Sequence, residues 1–343
     1  MGTLNPQIVL DFQTNVSTIM EREYARFGSN LWWQSVAKVR NSLSLKETIA
    51  WMINSAMIRD QGGGGNYSFD DLASKTTEIE NKYAGAAFKI TKAELQDVYN
   101  GIPGGAAFEA GSEWGSQIGA YMAYWPQKQT AYALMNGHTA SLFSAYDGKA
   151  LFATDHFVNA LDASAGSYSN YLSGGSYDVS EAVSADAALA VLGVVRNAIA
   201  SIKMANGEDP RFLVPKSIIC GSKLLPRLSQ LTNAKFLAQA ATSGGGSGDV
   251  ERLIQSLGYA MPVEAPELNG FESDKTFFVV CEQASSSQLG GIVYQEREPF
   301  SMDMYDPTQS PELGRRQSFE WHVQGRNAIA AGHPYLIFKV KGT

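Results

Sequence analysis

Apolar residues near the start of the chain recur at helical spacing: Ile8, Val9, Phe12, Val16 and Ile19-Met20 fall on one side of a 3.6-residue repeat and predict a helix. After a Gly28-Ser-Asn30 break, Leu31-Trp-Trp33 sets two tryptophans side by side. So much apolar area near a terminus requires cover, either from the body of the same chain or from another molecule. Gln61-Gly-Gly-Gly-Gly-Asn66 follows, a run with great backbone freedom and no side chains to pack. Beyond it, Thr77–Tyr83 and Ala87–Ile90 alternate polar and apolar and read as strands paired about Gly85. Residues 58–90 are therefore expected to form a glycine-tipped, extended excursion.

The longest helical signal covers 105–136, where Trp114, Ile118, Tyr121-Met122 and Trp125 share one face. Pro126 is expected to kink or divide that helix, since it lacks an N–H and crowds the preceding turn. Asn136-Gly137 supplies a stop. Residues 163–175, rich in Ser, Gly and Ala, read as loop. Ser184 then caps an apolar helix over 187–202, closed by Asn206-Gly207. Phe212–Val214 and Ile218–Cys220 read as strand, Leu224–Leu231 as helix, Ser243–Gly248 as a flexible loop, and Asp249 caps a short helix. From Thr276 onward the pattern changes to short strands separated by Gly, Pro, Asp and Ser; Phe319/Trp321/Val323 alternate most cleanly. The fold class is α+β, with a helix-rich middle and a strand-rich end.

Composition narrows the function. The 343 residues, 44% hydrophobic and 18% charged, are ordinary for a folded soluble protein with more than one packing unit. The apolar runs are too short to span a bilayer, and the first residues lack the basic and apolar segments of a signal peptide. The net charge of −7, without clustered Lys and Arg, excludes the usual footprint of sequence-specific nucleic-acid binding. Two cysteines in apolar settings, Cys220 and Cys281, read as buried thiols and fit a cytoplasmic site of synthesis.

Catalytic signals are sparse. The four histidines, His138, His156, His322 and His333, show no i, i+4 pairing, and no Cys-x-x-Cys, phosphate-binding loop or Gly-x-Ser-x-Gly elbow occurs. Asp155-His156 is the remaining candidate, as the acid–base pair of a cytoplasmic hydrolase. Adjacent residues seldom face each other, however, so the dipeptide fits a turn better: Asp147-Gly148 bends the chain, Phe152 packs, and Asp155 caps nearby N–H groups.

Several stretches, taken in order, carry a resemblance. Ile79-Glu-Asn-Lys-Tyr83, Phe88-Lys-Ile-Thr-Lys92, a helix with an internal Trp-Pro, Leu134-Met-Asn-Gly137, Tyr146–Phe152 with Asp155-His156, Ser167-Tyr-Ser-Asn170, Phe212-Leu-Val-Pro215 and Glu296-Arg297 together resemble the major head subunit of Mu-like phages and prophages. The resemblance covers about residues 75–340 and rests on order and spacing rather than on one motif.

It implies the Hong Kong 97-like capsid fold: an N-terminal arm (1–57), an E-loop (58–90), a peripheral (P) domain (91–184) with a spine helix (105–136), an axial (A) domain (185–275), and strands returning to the P-domain (276–343). It further implies a shell-building subunit and not an enzyme, with neither cofactor nor metal. Copies would form hexamers and pentamers of an icosahedral head around double-stranded DNA held without sequence preference. Portal, scaffolding and decoration proteins would be the other partners, and no membrane would be involved. The subunit would be made and assembled in the bacterial host cytoplasm and reside in the virion. Contacts between subunits would come from Trp32, Trp33, Gly62, Gly63, Gly64, Gly65, Tyr67, Phe69, Ile79 and Tyr83. An encapsulin-like shell around a cargo enzyme is the alternative within that fold.

Overall fold

The computed structural model describes residues 6–29, 31–52, 74–99, 106–233, 259, 262–283, 290–308 and 311–343. The glycine run Gly62–Gly65, Tyr67, Phe69, the Ser243–Gly248 loop and the helix after Asp249 lie outside them.

The first periodic stretch forms α1 (Pro6–Gly28), which buries Val9, Phe12, Val16 and Met20. A 3-10 turn, Trp32–Ser35, leads into β1 (Ala37–Asn41) and β2 (Lys46–Met52). β3 (Ser74–Glu80), β4 (Lys82–Thr91) and α2 (Lys92–Tyr99) precede the long helix α3 (Ala106–Asn136). Pro126 neither ends nor divides α3. It removes one N–H from the ladder, and the Thr130 hydroxyl donates to the Pro126 carbonyl at 2.8 Å.

Two β hairpin arms follow, β5 (His156–Asn159) and β6 (Asp162–Tyr168), then β7 (Tyr171–Ser173). Part of the segment expected as loop is therefore strand, because small residues such as Ala163 and Ser167 carry almost no hydropathy alternation. α4 (Ala185–Ala200) starts where expected, with the Ser184 hydroxyl accepting from the Ala187 N–H at 3.2 Å. The remaining elements are β8 (Leu213–Cys220), α5 (Leu225–Asn233), β9 (Pro262–Glu264), β10 (Thr276–Gln283), β11 (Ile292–Tyr305), β12 (Ser318–Ala331) and β13 (Ile337–Lys341).

Strand pairing departs from the sequence expectation in two places. The extended hairpin is β2 with β3, in register from Lys46↔Glu80 to Met52↔Ser74, so its arms are 46–52 and 74–80 rather than the two sides of Gly85. β4 runs straight through Gly85 and pairs with β12 along its whole length, from Thr91↔Ser318 to Lys82↔Asn327. Gly85 is there for close approach and not for a turn: a Cβ at this position would lie 2.5 Å from the Val323 carbonyl oxygen.

The terminal strands also split between two sheets. β11 and β12 join a four-stranded sheet ordered β1-β11-β12-β4, whereas β10 and β13 join a five-stranded sheet ordered β7-β13-β10-β8-β9. The strands after Thr276 thus do not all join one sheet, because the runs of β10 and β13 are buried on both sides and belong in a central position.

The cores follow these sheets. One lies between α4, α5 and the five-stranded sheet, around Leu192, Val195, Ile218, Phe277 and Phe338. A second joins the two sheets through Trp33, Leu134, Phe152, Phe278 and Tyr294. A third packs α1 on the four-stranded sheet through Phe12, Ile90 and Trp321. The two helices α1 and α3 approach closely along Gly111, Gly115 and Gly119; a Cβ at Gly119 would lie 2.3 Å from the Met20 carbonyl oxygen.

Candidate assembly surfaces and a buried histidine

His156 opens β5 with its ring fully buried, and its partner is not the adjacent carboxylate. Nδ1 lies 2.7 Å from Asp147 Oδ2, and Nε2 lies 3.2 Å from the Leu151 carbonyl oxygen. The ring stacks on Tyr168 at 5.4 Å between centroids. Asp155 turns outward instead and pairs with Lys149 Nζ at 2.5 Å, so it is an exposed ion-pair residue and not an N–H cap. The Asp147-Gly148 turn forms as expected: Gly148 takes φ +81° and its N–H reaches the Ala145 carbonyl. Burial alone would raise the Asp147 pKa. The hydrogen bond and charge of His156, with the N–H groups of Lys149 and Phe157, outweigh it and hold the carboxyl below its ordinary value. Each ring nitrogen is engaged with a protein oxygen, and the imidazole is sealed from solvent. This arrangement pins a turn to a strand. It is not built as a general base.

The expected contact residues separate into two groups. Trp32 and Trp33 are each 7% exposed and sit in the core between the sheets. The Trp32 N–H donates to Gln127 Oε1 at 3.1 Å, its indole Nε1 donates to Glu267 Oε2 at 3.2 Å, and Trp33 packs on Tyr294 at 5.4 Å. The cover these tryptophans need comes from their own subunit, which corrects their assignment to a neighbour. Ile79 is likewise buried, against Ile49, Trp51 and Val293, and fastens the hairpin to its own sheet.

Tyr83 is different. It is 63% exposed and carries the Arg326 guanidinium 4.0 Å above its ring, so it remains available to another molecule. Sequence reading missed the turn between β1 and β2, where Leu43 stands almost wholly in solvent. The only signal was the Ser-Leu-Ser-Leu alternation of 42–45, which ordinarily marks a strand.

Among the described residues, no group of three or more His, Cys, Asp or Glu side chains converges as a metal site, and no helix is long and apolar enough to cross a membrane. What the geometry offers is a long helix, a two-stranded hairpin fastened to the four-stranded sheet through Ile79, and two larger sheets. The sequence model of the Mu-like prophage major head subunit gpT matches residues 11–184, about half of the chain, and spans α1, the hairpin, α3 and the His156 strand. The chain belongs to the Mu-like prophage major head subunit family.

No curated protein sequence matches this head subunit. Among solved structures, the capsid of cyanophage P-SCSP1u is similar with a TM-score of 0.53 at 9% identity, over 92% of this chain and 88% of that one. That likeness shows the phage capsid fold. The procapsid of bacteriophage JBD30 is similar at 14% identity with a TM-score of 0.46, over 99% of this chain and 77% of that one. The mature capsid of bacteriophage PhiM1 is similar at 12% identity with a TM-score of 0.49, over 92% and 87%. This head subunit is a major capsid protein of a tailed phage: a self-associating structural component of the virion and not an enzyme.

Proposed function

We propose that copies of this chain close into an icosahedral head of hexamers and pentamers around double-stranded DNA. The observation that carries the proposal is the family match running continuously through the hairpin and the long helix. In this reading α3 is the spine of a peripheral domain built on the sheet β1-β11-β12-β4. The sheet β7-β13-β10-β8-β9 with α4 and α5 forms the axial domain, and residues 46–80 are the E-loop. Gly62–Gly65, which lies between the two hairpin arms in the sequence, costs about 1–2 kcal/mol of backbone entropy per residue to fix, a cost that contacts to a partner subunit would offset. Tyr67 and Phe69 beside the run, and Tyr83 beyond it, supply apolar area for those contacts.

Synthesis and assembly take place in the bacterial host cytoplasm, with scaffolding and portal proteins guiding closure and a decoration protein added outside. The net charge of −7 favours a loosely held genome over a tightly gripped one, since firm binding of phosphates needs clustered cations. Electron microscopy of the purified protein, alone and with a scaffold from the same gene cluster, tests the proposal. Closed shells are expected, and particles from infected or induced cells should contain DNA. A stable monomer under both conditions would overturn it, and a cargo enzyme in place of DNA would favour an encapsulin-like shell.

A further inference from the structure

The turn between β1 and β2 displays Leu43 at 96% exposure, the most exposed large apolar side chain among the described residues. This turn is held, not loose. Asn81, 2% exposed, donates from Nδ2 to the Ser42 hydroxyl at 3.0 Å and to the Ser44 carbonyl at 2.9 Å. Its backbone N–H reaches the Leu45 carbonyl at 2.9 Å, and the Ser42 N–H reaches the Glu296 carbonyl at 2.8 Å. Both residues flanking Leu43 are thereby tied to the body of the subunit. Val39 and Leu45, 51% and 48% exposed, add apolar surface on either side. A leucine fixed in solvent gains nothing for its own subunit, whereas a preformed apolar knob loses little freedom on docking.

An open cavity lies elsewhere on the same chain. Val9, Leu10, Met304, Pro307 and Phe319 line an open, mostly apolar cavity of about 610 Å3 where β11 ends and α1 begins. β1 pairs with the opposite end of β11, Asn41 opposite Glu296. The knob and the hole are therefore roughly 20 Å apart along the sheet at about 3.3 Å per residue. The clamped turn cannot cross that distance within one subunit.

We propose that Leu43 of one subunit seats in this cavity of a second copy, as the anchor of a head-to-tail contact. The occupant is a second copy because this family consists of head subunits, which associate with themselves, and because knob and hole are different patches of one surface. Such a heterologous contact, repeated about an axis, closes a ring, which is the geometry a capsomer needs. The inference rests on the shell-building function proposed above.

Full-length wild type, Leu43→Asp, Leu43→Cys, Leu10→Cys and the Leu43→Cys/Leu10→Cys double variant are assembled under identical conditions. Leu43→Asp should lower particle yield at least tenfold while leaving the melting temperature of the free subunit unchanged, since the side chain is exposed. Mild oxidation of particles carrying both cysteines should give a ladder of disulfide-linked oligomers, absent from either single variant. Cys220 and Cys281 are buried and do not contribute. Normal assembly of Leu43→Asp would overturn the anchor, and particles of the double variant without a ladder would overturn the cavity as its seat. Should wild type form no shells, the parent reading fails and this inference with it, an outcome distinct from the other two.

Discussion

Removing the His156 imidazole would leave the Asp147 carboxylate buried, at 1% exposure, without its ring partner. Breaking a buried pair in this way costs about 3–5 kcal/mol. His156→Ala should therefore shift the denaturation midpoint of the free subunit strongly. Asp155→Ala, which breaks only an exposed ion pair with Lys149, should cost less than about 1 kcal/mol. Equal effects of the two substitutions in urea titrations would contradict the pairing. A second residue-scale effect comes from His333, which is packed among Trp51, Tyr146 and Tyr335. Burial, with the nearby Arg211 charge, pushes its pKa from 6.5 down to about 3. Between those values the unfolded chain binds a proton that the folded chain refuses. Stability should thus fall as pH drops from about 6.5 toward 3, by up to about 1.4 kcal/mol per pH unit. His333→Phe should flatten that slope, read from urea midpoints at several pH values. Asp147 acts in a lower window: its depressed pKa gives stability that is present above 3.8 and lost as pH falls below it.

At the scale of elements, the docking of α1 on α3 shows why the first helix is not free. Gly111, Gly115 and Gly119 recur every fourth residue and let the two backbones approach, with Phe12, Val16 and Met20 filling the groove. Gly119→Ala would drive a Cβ against backbone, which cannot rotate away, and should cost about 1–3 kcal/mol. Gly193→Ala, in the middle of α4 with open space around it, should stabilise by up to about 1 kcal/mol. Opposite signs for two glycine-to-alanine changes, both in helices, would be read from thermal or chemical denaturation. The hairpin gives a second prediction. β4 is the edge strand of the four-stranded sheet and pairs with β12 along its whole length, while β2 and β3 pair chiefly with each other and touch the sheet through a small cluster at Val293. Hydrogen exchange of the free subunit should show residues 82–91 protected and residues 74–80 exchanging faster, with protection of 74–80 rising on assembly. Uniform protection across 74–91 before assembly would contradict that division.

At the scale of the whole molecule, the sequence made the kinds of element legible and left their partners obscure. Periodicity located α1, α3 and α4 because each has one apolar face and a recognisable start or stop. It located β4 as well, but alternation tells which side of a strand is buried and not which strand lies beside it. Gly85 read as a turn for that reason, when its role is close approach to Val323. Trp32-Trp33 advertised a need for cover without saying whose, and the answer lies in Gln127, Glu267 and Tyr294, all remote in sequence. The His156 partner was nine residues away rather than next door, a contact fixed by the β5–β6 hairpin and the turn at Gly148. The resemblance to Mu-like head subunits supplied the overall order of parts, which local pattern could not.

The pairing of β1 with β11 joins Asn41 to Glu296, so the first strand of the chain waits for a partner made far later. At a synthesis rate of about 5–20 residues each second, a wait of that length is on the order of tens of seconds. During that interval the turn carrying Leu43 has neither its anchor to the Glu296 carbonyl nor a sheet beneath it. Completion of the chain beyond Glu296 is therefore the step that fixes this turn in place.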